Sequence, residues 1–134
     1  MLSLDEITQK DALLNIGGDT TIGVAGFYMD VLTDVTTTEW FKLYIGQAER
    51  LNVRIGYHKK PTVLRNNTAL HYQLLRKPGR QYNYVILGLL PSNLAHDSHL
   101  YDATEMYLVC FHPRNSRNTY LLDRSFGSRS VAVW

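Results

Sequence analysis

Two runs rich in β-branched and aromatic residues, TIGVAGFYMDVLTD at 21–34 and TTTEWFKLYIG at 36–46, constrain this chain more than any other feature. Such residues suit a pleated, half-buried surface, and only Thr/Asp turn chemistry separates the two runs. They are expected to pair as an antiparallel hairpin, with Gly46 ending the second strand. QAERLNVRIGYHKK follows, and its Ala48, Leu51 and Ile55 recur at helical spacing before Pro61 stops it. TALHYQLLRKPG at 68–79 reads as helical or mixed, and RQYNYVILGLL at 80–90 as a buried strand closed by Pro91. SHLYDATEMYLVCFHP at 98–113 reads as a helix, capped by Asp97 or Ser98 and ended by Pro113. The tail offers one or two weak extended segments. This order predicts a small α/β sandwich: a short, largely antiparallel central sheet flanked by helices.

The 134 residues suit one domain, 1–134, and 45% hydrophobic with 19% charged residues is the composition of a soluble globule. No apolar run approaches the roughly 20 residues that span a bilayer. The acidic start MLSLDEITQKD does not read as a secretory signal. Cys110 is the single cysteine, so no internal disulfide can form, and an intracellular, reducing compartment is expected. The net charge of +2 hides a strong division. Residues 1–49 hold eight acidic and two basic residues; residues 50–96 hold eight basic residues and no acidic one. A block of that sign suits a phosphate backbone, although a solvated basic face would look the same.

With GFY at 26–28, YIG at 44–46, Arg54 ten residues beyond Tyr44 and His58 four further on, the chain resembles the GIY-YIG nuclease superfamily. Phe27 replaces the central Ile of the first motif. TEMYLVCFHPRNSRN supplies a downstream glutamate, Glu105, then Pro113 and Asn115 or Asn118. The resemblance covers about residues 24–120. The gap of 16 residues from Tyr28 to Tyr44 implies a longer hairpin loop at DVTTT.

Read as chemistry, paired strands can place two tyrosines on one face, and Arg54 and His58 are i, i+4 neighbours on a helix. Phosphodiester hydrolysis needs a route for deprotonating water, positive charge at the developing phosphorane and a divalent metal. The resemblance implies the same parts. Glu105 would be the one protein ligand of Mg²⁺ or Mn²⁺, and Arg54 would hold the scissile phosphate. Tyr28 would act as general base, aided by nearby cations and a hydrogen bond to His58. Tyr44 would position water or a phosphate oxygen, and Asn118, failing which Asn115, would orient the metal end or a backbone loop.

Beyond the motif, Lys59, Lys60, Arg65, Arg76, Lys77 and Arg80 are candidate phosphate contacts, and Tyr72, Tyr82 or Tyr84 could stack on bases or pack. HDSH at 96–99 lacks the four ligands of a closed zinc site and reads as a polar loop. The expected function is a metal-dependent endonuclease acting on DNA, with RNA an open substrate. A binding module that keeps the fold without cleaving is the alternative. Specificity would come from the basic stretch with a homodimer, or from an attached DNA-binding module.

Overall fold

The computed structural model describes residues 10–91 and 93, together with the backbone of strands at 120–123 and 130–133. The elements are β1 (Gly26–Asp34), β2 (Phe41–Ala48), α1 (Leu51–His58), α2 (Pro61–Asn66), α3 (Leu70–Leu75), β3 (Arg80–Gln81), β4 (Tyr84–Leu89), β5 (Tyr120–Asp123) and β6 (Ser130–Val133). Every strand pairing is antiparallel. β1 is central, with β2 on one side and β3 and β4 sharing the other; β6 and then β5 extend the sheet beyond β2. The result is a small α/β fold on a short antiparallel sheet, as the sequence pattern predicts. The expected helix at 98–113, with Glu105, Cys110, Asn115 and Asn118 on or after it, lies outside the described residues, as does HDSH.

β1 is buried along almost its whole length because both faces are covered. Alternation sends Tyr28 and Leu32 towards Tyr44, Leu51, Ile55 and Tyr84, with Leu74 and Leu75 of α3 against them. Met29 and Val31 face the other way, towards Leu43, Ile45 and Val85, where Leu13 and Leu14 pack. Two faces, two clusters, one strand between them.

Several element boundaries differ from the sequence reading: β1 begins only at Gly26 and β2 only at Phe41, not at 21 and 36. β2 does not stop at Gly46 but continues through Gln47 and Ala48, which still pair with Phe27 and Gly26. The helix therefore starts only at Leu51. Its N-cap residue, Arg50, makes no side-chain cap; Leu51 N–H donates to Val24 O at 2.9 Å and Asn52 N–H to Ile22 O at 3.0 Å. α1 ends at His58, before Pro61, as expected, but Pro61 is not a loop residue. It opens α2 at the first helical position, where a missing N–H does no harm. The run 80–90 is interrupted at Tyr82–Asn83, where Asn83 turns its side chain onto β1. Its Nδ2 donates to Val31 O at 2.8 Å and Thr33 Oγ1 at 3.0 Å, and its backbone N–H donates to Asp30 Oδ1 at 2.7 Å.

Register explains both motif glycines. Tyr28 pairs with Gly46 across the ladder, and a Cβ on Gly46 would lie 2.4 Å from the Tyr28 ring carbon and hydroxyl oxygen. A Cβ on Gly26 would lie 2.3 Å from Gly88 O of β4. Neither strand could keep its place. Gly46→Ala is expected to lower the unfolding free energy by about 1–3 kcal/mol in urea titration, the range for overpacked cores. An unchanged midpoint would show that the Tyr28 ring moves freely.

Candidate active site

The sheet face under α1 and α3 holds a cluster that is both aromatic and titratable. Tyr28 from β1, Tyr44 from β2 and His58 from the last turn of α1 meet there, with exposures of 0%, 2% and 0%. The Tyr28 and Tyr44 ring centres are 6.5 Å apart, and the His58 ring lies 5.6 Å from each. Arg54, one turn earlier on α1, is half-buried, with its guanidinium 5.4 Å from the Tyr57 ring centre. It borders Tyr28 closely enough that its charge and hydrogen bonding act on that phenol. Four of the six expected catalytic residues therefore share one patch. Glu105 and Asn118 lie outside the described residues.

The hydrogen bond from Tyr28 to His58 is present, at 2.6 Å to Nε2. The other ring nitrogen, Nδ1, is 2.5 Å from Tyr72 Oη. Both histidine nitrogens are thus engaged by phenols. Burial, followed by the neighbouring charges of His71 and Arg54, lowers the His58 pKa to about 2. The imidazole is therefore neutral at ordinary pH, with one N–H and one acceptor. A neutral ring of this kind donates to one of the two phenols and accepts from the other. Burial also raises the Tyr28 pKa well above its usual 10, with Tyr44 adding to the rise and Arg54 opposing it. The sequence leads one to expect that nearby cations help this phenol act as a base by favouring its deprotonated form; desolvation outweighs them, and Tyr28 carries its proton at neutral pH.

Three residues of the cluster were not expected from sequence as parts of it. Asp30, two places after Tyr28, is fully buried, and its Oδ2 is 2.7 Å from His71 Nε2. The His71 ring stacks on Tyr44 at 4.1 Å and 6° and lies 4.8 Å from Tyr72. Period-two spacing carried the signal for Asp30: a carboxylate in phase with Tyr28 in an otherwise apolar strand. His71 and Tyr72 gave none, because nothing in the chain shows that α3 folds back over β1.

The six candidate phosphate contacts divide. Arg80 Nε is 2.6 Å from Asp34 Oδ2, and its guanidinium lies 3.4 Å from the Trp40 ring centre, so this arginine joins β3 to the hairpin. Arg76 Nη1 donates to Leu64 O, Arg65 O and Asn67 O at 3.0, 3.2 and 2.7 Å, closing the end of α2. These two hold the protein's own carbonyls and carboxylate, a fate that charge counting could not reveal. Lys59, Lys60, Arg65 and Lys77 are exposed. Lys59 Nζ lies 5.7 Å from the ring centres of Tyr82 and Tyr84. Tyr72 and Tyr84 are buried, which leaves Tyr82 as the exposed tyrosine of the three.

Among the described residues no group of three or more His, Cys, Asp and Glu is placed to hold a metal, and no helix is long and apolar enough to cross a membrane. No protein-family model, curated protein or solved structure matches the chain.

His58 gives the fold a pH dependence whose sign follows from linkage. Its folded pKa lies below the unfolded value, so the unfolded chain binds more protons as pH falls, and stability is lost from about pH 6.5 downwards. The slope contributed is at most about 1.4 kcal/mol per pH unit. Melting temperature is expected to fall between pH 7 and pH 5, and His58→Gln to flatten that fall while lowering stability at pH 7. A natural chain whose melting temperature is constant over this range would show His58 to be solvated.

Proposed function

We propose that this chain is a metal-dependent endonuclease of the GIY-YIG type that hydrolyses DNA phosphodiesters. The observation that carries the proposal is the convergence of Tyr28, Tyr44, Arg54 and His58 from β1, β2 and α1 on one patch. Four motif residues spread over 31 positions meet there, and a hydrogen bond joins two of them, Tyr28 and His58. In this reading the guanidinium of Arg54 holds two oxygens of the scissile phosphate, a task its planar fork suits. Tyr28, held by His58, receives a hydrogen bond from the attacking water on its oxygen. Tyr44 fixes the other side of the phosphate. Lys59, Lys60, Arg65 and Lys77 meet flanking phosphates, and Tyr82 offers an exposed ring to a base.

Glu105 would hold the Mg²⁺ or Mn²⁺, and that ion would supply charge stabilisation at the leaving oxygen. Asn118 would sit beside it. Both assignments come from the motif order. A second reading is favoured by one observation: Tyr28 is fully buried and protonated, as in a module that keeps the fold and binds nucleic acid without cutting it.

Nicking of supercoiled plasmid with Mg²⁺ or Mn²⁺ separates the two. The natural chain is expected to nick, Glu105→Ala and Arg54→Ala to lose roughly 100-fold or more in rate, and chelation to abolish cutting. Salt-sensitive DNA binding without nicking would establish the binding module instead.

A further inference from the structure

The two buried imidazoles of the cluster are not equivalent. His58 has a phenol on each nitrogen, so it can take up a proton only by handing one on. His71 has one nitrogen on a carboxylate, and its Nδ1, in a ring 2% exposed, has no hydrogen-bond partner among the described residues. Leaving a buried imidazole nitrogen unsatisfied is destabilising, and so is burying the Asp30 carboxylate in the core. A core built for packing alone would avoid both.

We propose that the Asp30–His71 pair is the proton acceptor of this site, at the end of a relay running from Tyr28 through His58 and Tyr72. The inference rests on the nuclease reading above. Asp30 accepts the Nε2–H of His71 and so keeps the Nδ1 lone pair bare. As the water oxygen bonds to phosphorus, its proton passes to Tyr28 Oη, and the Tyr28 proton moves to His58 Nε2. The His58 Nδ1 proton moves to Tyr72 Oη, and the Tyr72 proton moves to His71 Nδ1, where Asp30 balances the new imidazolium. The bond from phosphorus to the leaving oxygen breaks, and that oxygen takes a proton from solvent. The last link is not made at rest, since His71 Nδ1 has no hydrogen-bond partner among the described residues; the Tyr72 and His71 rings pack together with centres 4.8 Å apart, and the Tyr72 ring must shift to pass its proton on. No charge rests on His58, in keeping with its very weak basicity.

A carboxamide at position 30 tests the pair because its orientation is already fixed. Asn83 N–H needs an acceptor at Oδ1, so Asp30→Asn must place its amide oxygen there and turn its NH₂ towards His71 Nε2. Nε2 then has to accept, and the ring must switch to its Nδ1–H tautomer. Long-range proton–nitrogen spectra of the histidine-labelled full chain read this directly. The natural chain is expected to show His71 protonated at Nε2 with Nδ1 bare, and Asp30→Asn the reverse. In plasmid nicking, Asp30→Asn and Tyr72→Phe are each expected to fall roughly 100-fold, the scale of general acid–base catalysis. A natural chain with His71 bare at Nε2 overturns the proposal without recourse to any variant. So does an inverted tautomer in folded Asp30→Asn with nicking within threefold of natural, and there the nuclease reading survives. A natural chain that does not nick at all overturns that reading, and the relay with it.

Discussion

The Tyr28 ring lies against the bare backbone of Gly46, and the rest of the site depends on that contact. Because β2 carries no side chain there, the phenol can lie across the strand pair and reach His58. His58 in turn reaches Tyr72, so a hydrogen-bonded chain ties the sheet to α1 and α3. Buried polar groups in apolar surroundings hold a unique arrangement when they are satisfied and destabilise it when they are not. Here the two phenol–imidazole hydrogen bonds satisfy both ring nitrogens of His58. The glycine of the YIG stretch is thus a packing requirement of this cluster.

The basic segment looks different once its partners are known. Eight cations without an acidic neighbour in sequence suggest a uniform phosphate-binding strip. In three dimensions Arg80 turns back to Asp34 and Trp40, and Arg76 covers the carbonyls ending α2. Both reinforce the short elements between α1 and β4, which have little core of their own: α2 buries no residue at all. The exposed lysines and Arg65 keep the positive field, and the arginines supply the geometry beneath it.

What could be read from sequence was local. The hairpin, α1 and the strand at 84–89 follow from periodicity, and the motif spacing placed Tyr28, Tyr44, Arg54 and His58 on neighbouring elements. Boundaries failed where a distant partner decided them. β2 runs past Gly46 because β1 still has residues to pair with, and α1 starts late because Val24 and Ile22 carbonyls receive its first amides. The cluster's depth was also hidden. An i, i+4 pair predicts a shared side, but only the fold shows that this side is closed over by α3, leaving His58 dry and Asp30 in need of His71.

The pairing of β6 with β2 has a consequence for how the chain is made. β2 is complete at Ala48, yet the strand that covers its outer edge begins at Ser130. During synthesis that edge presents unpaired amides and carbonyls while some 80 further residues emerge, about 4–16 s at ordinary elongation rates. An open edge next to a buried, β-branched strand is a template for a second nascent chain. A ribosome-bound chain therefore carries an open β2 edge until residues 130–133 are available to pair with it.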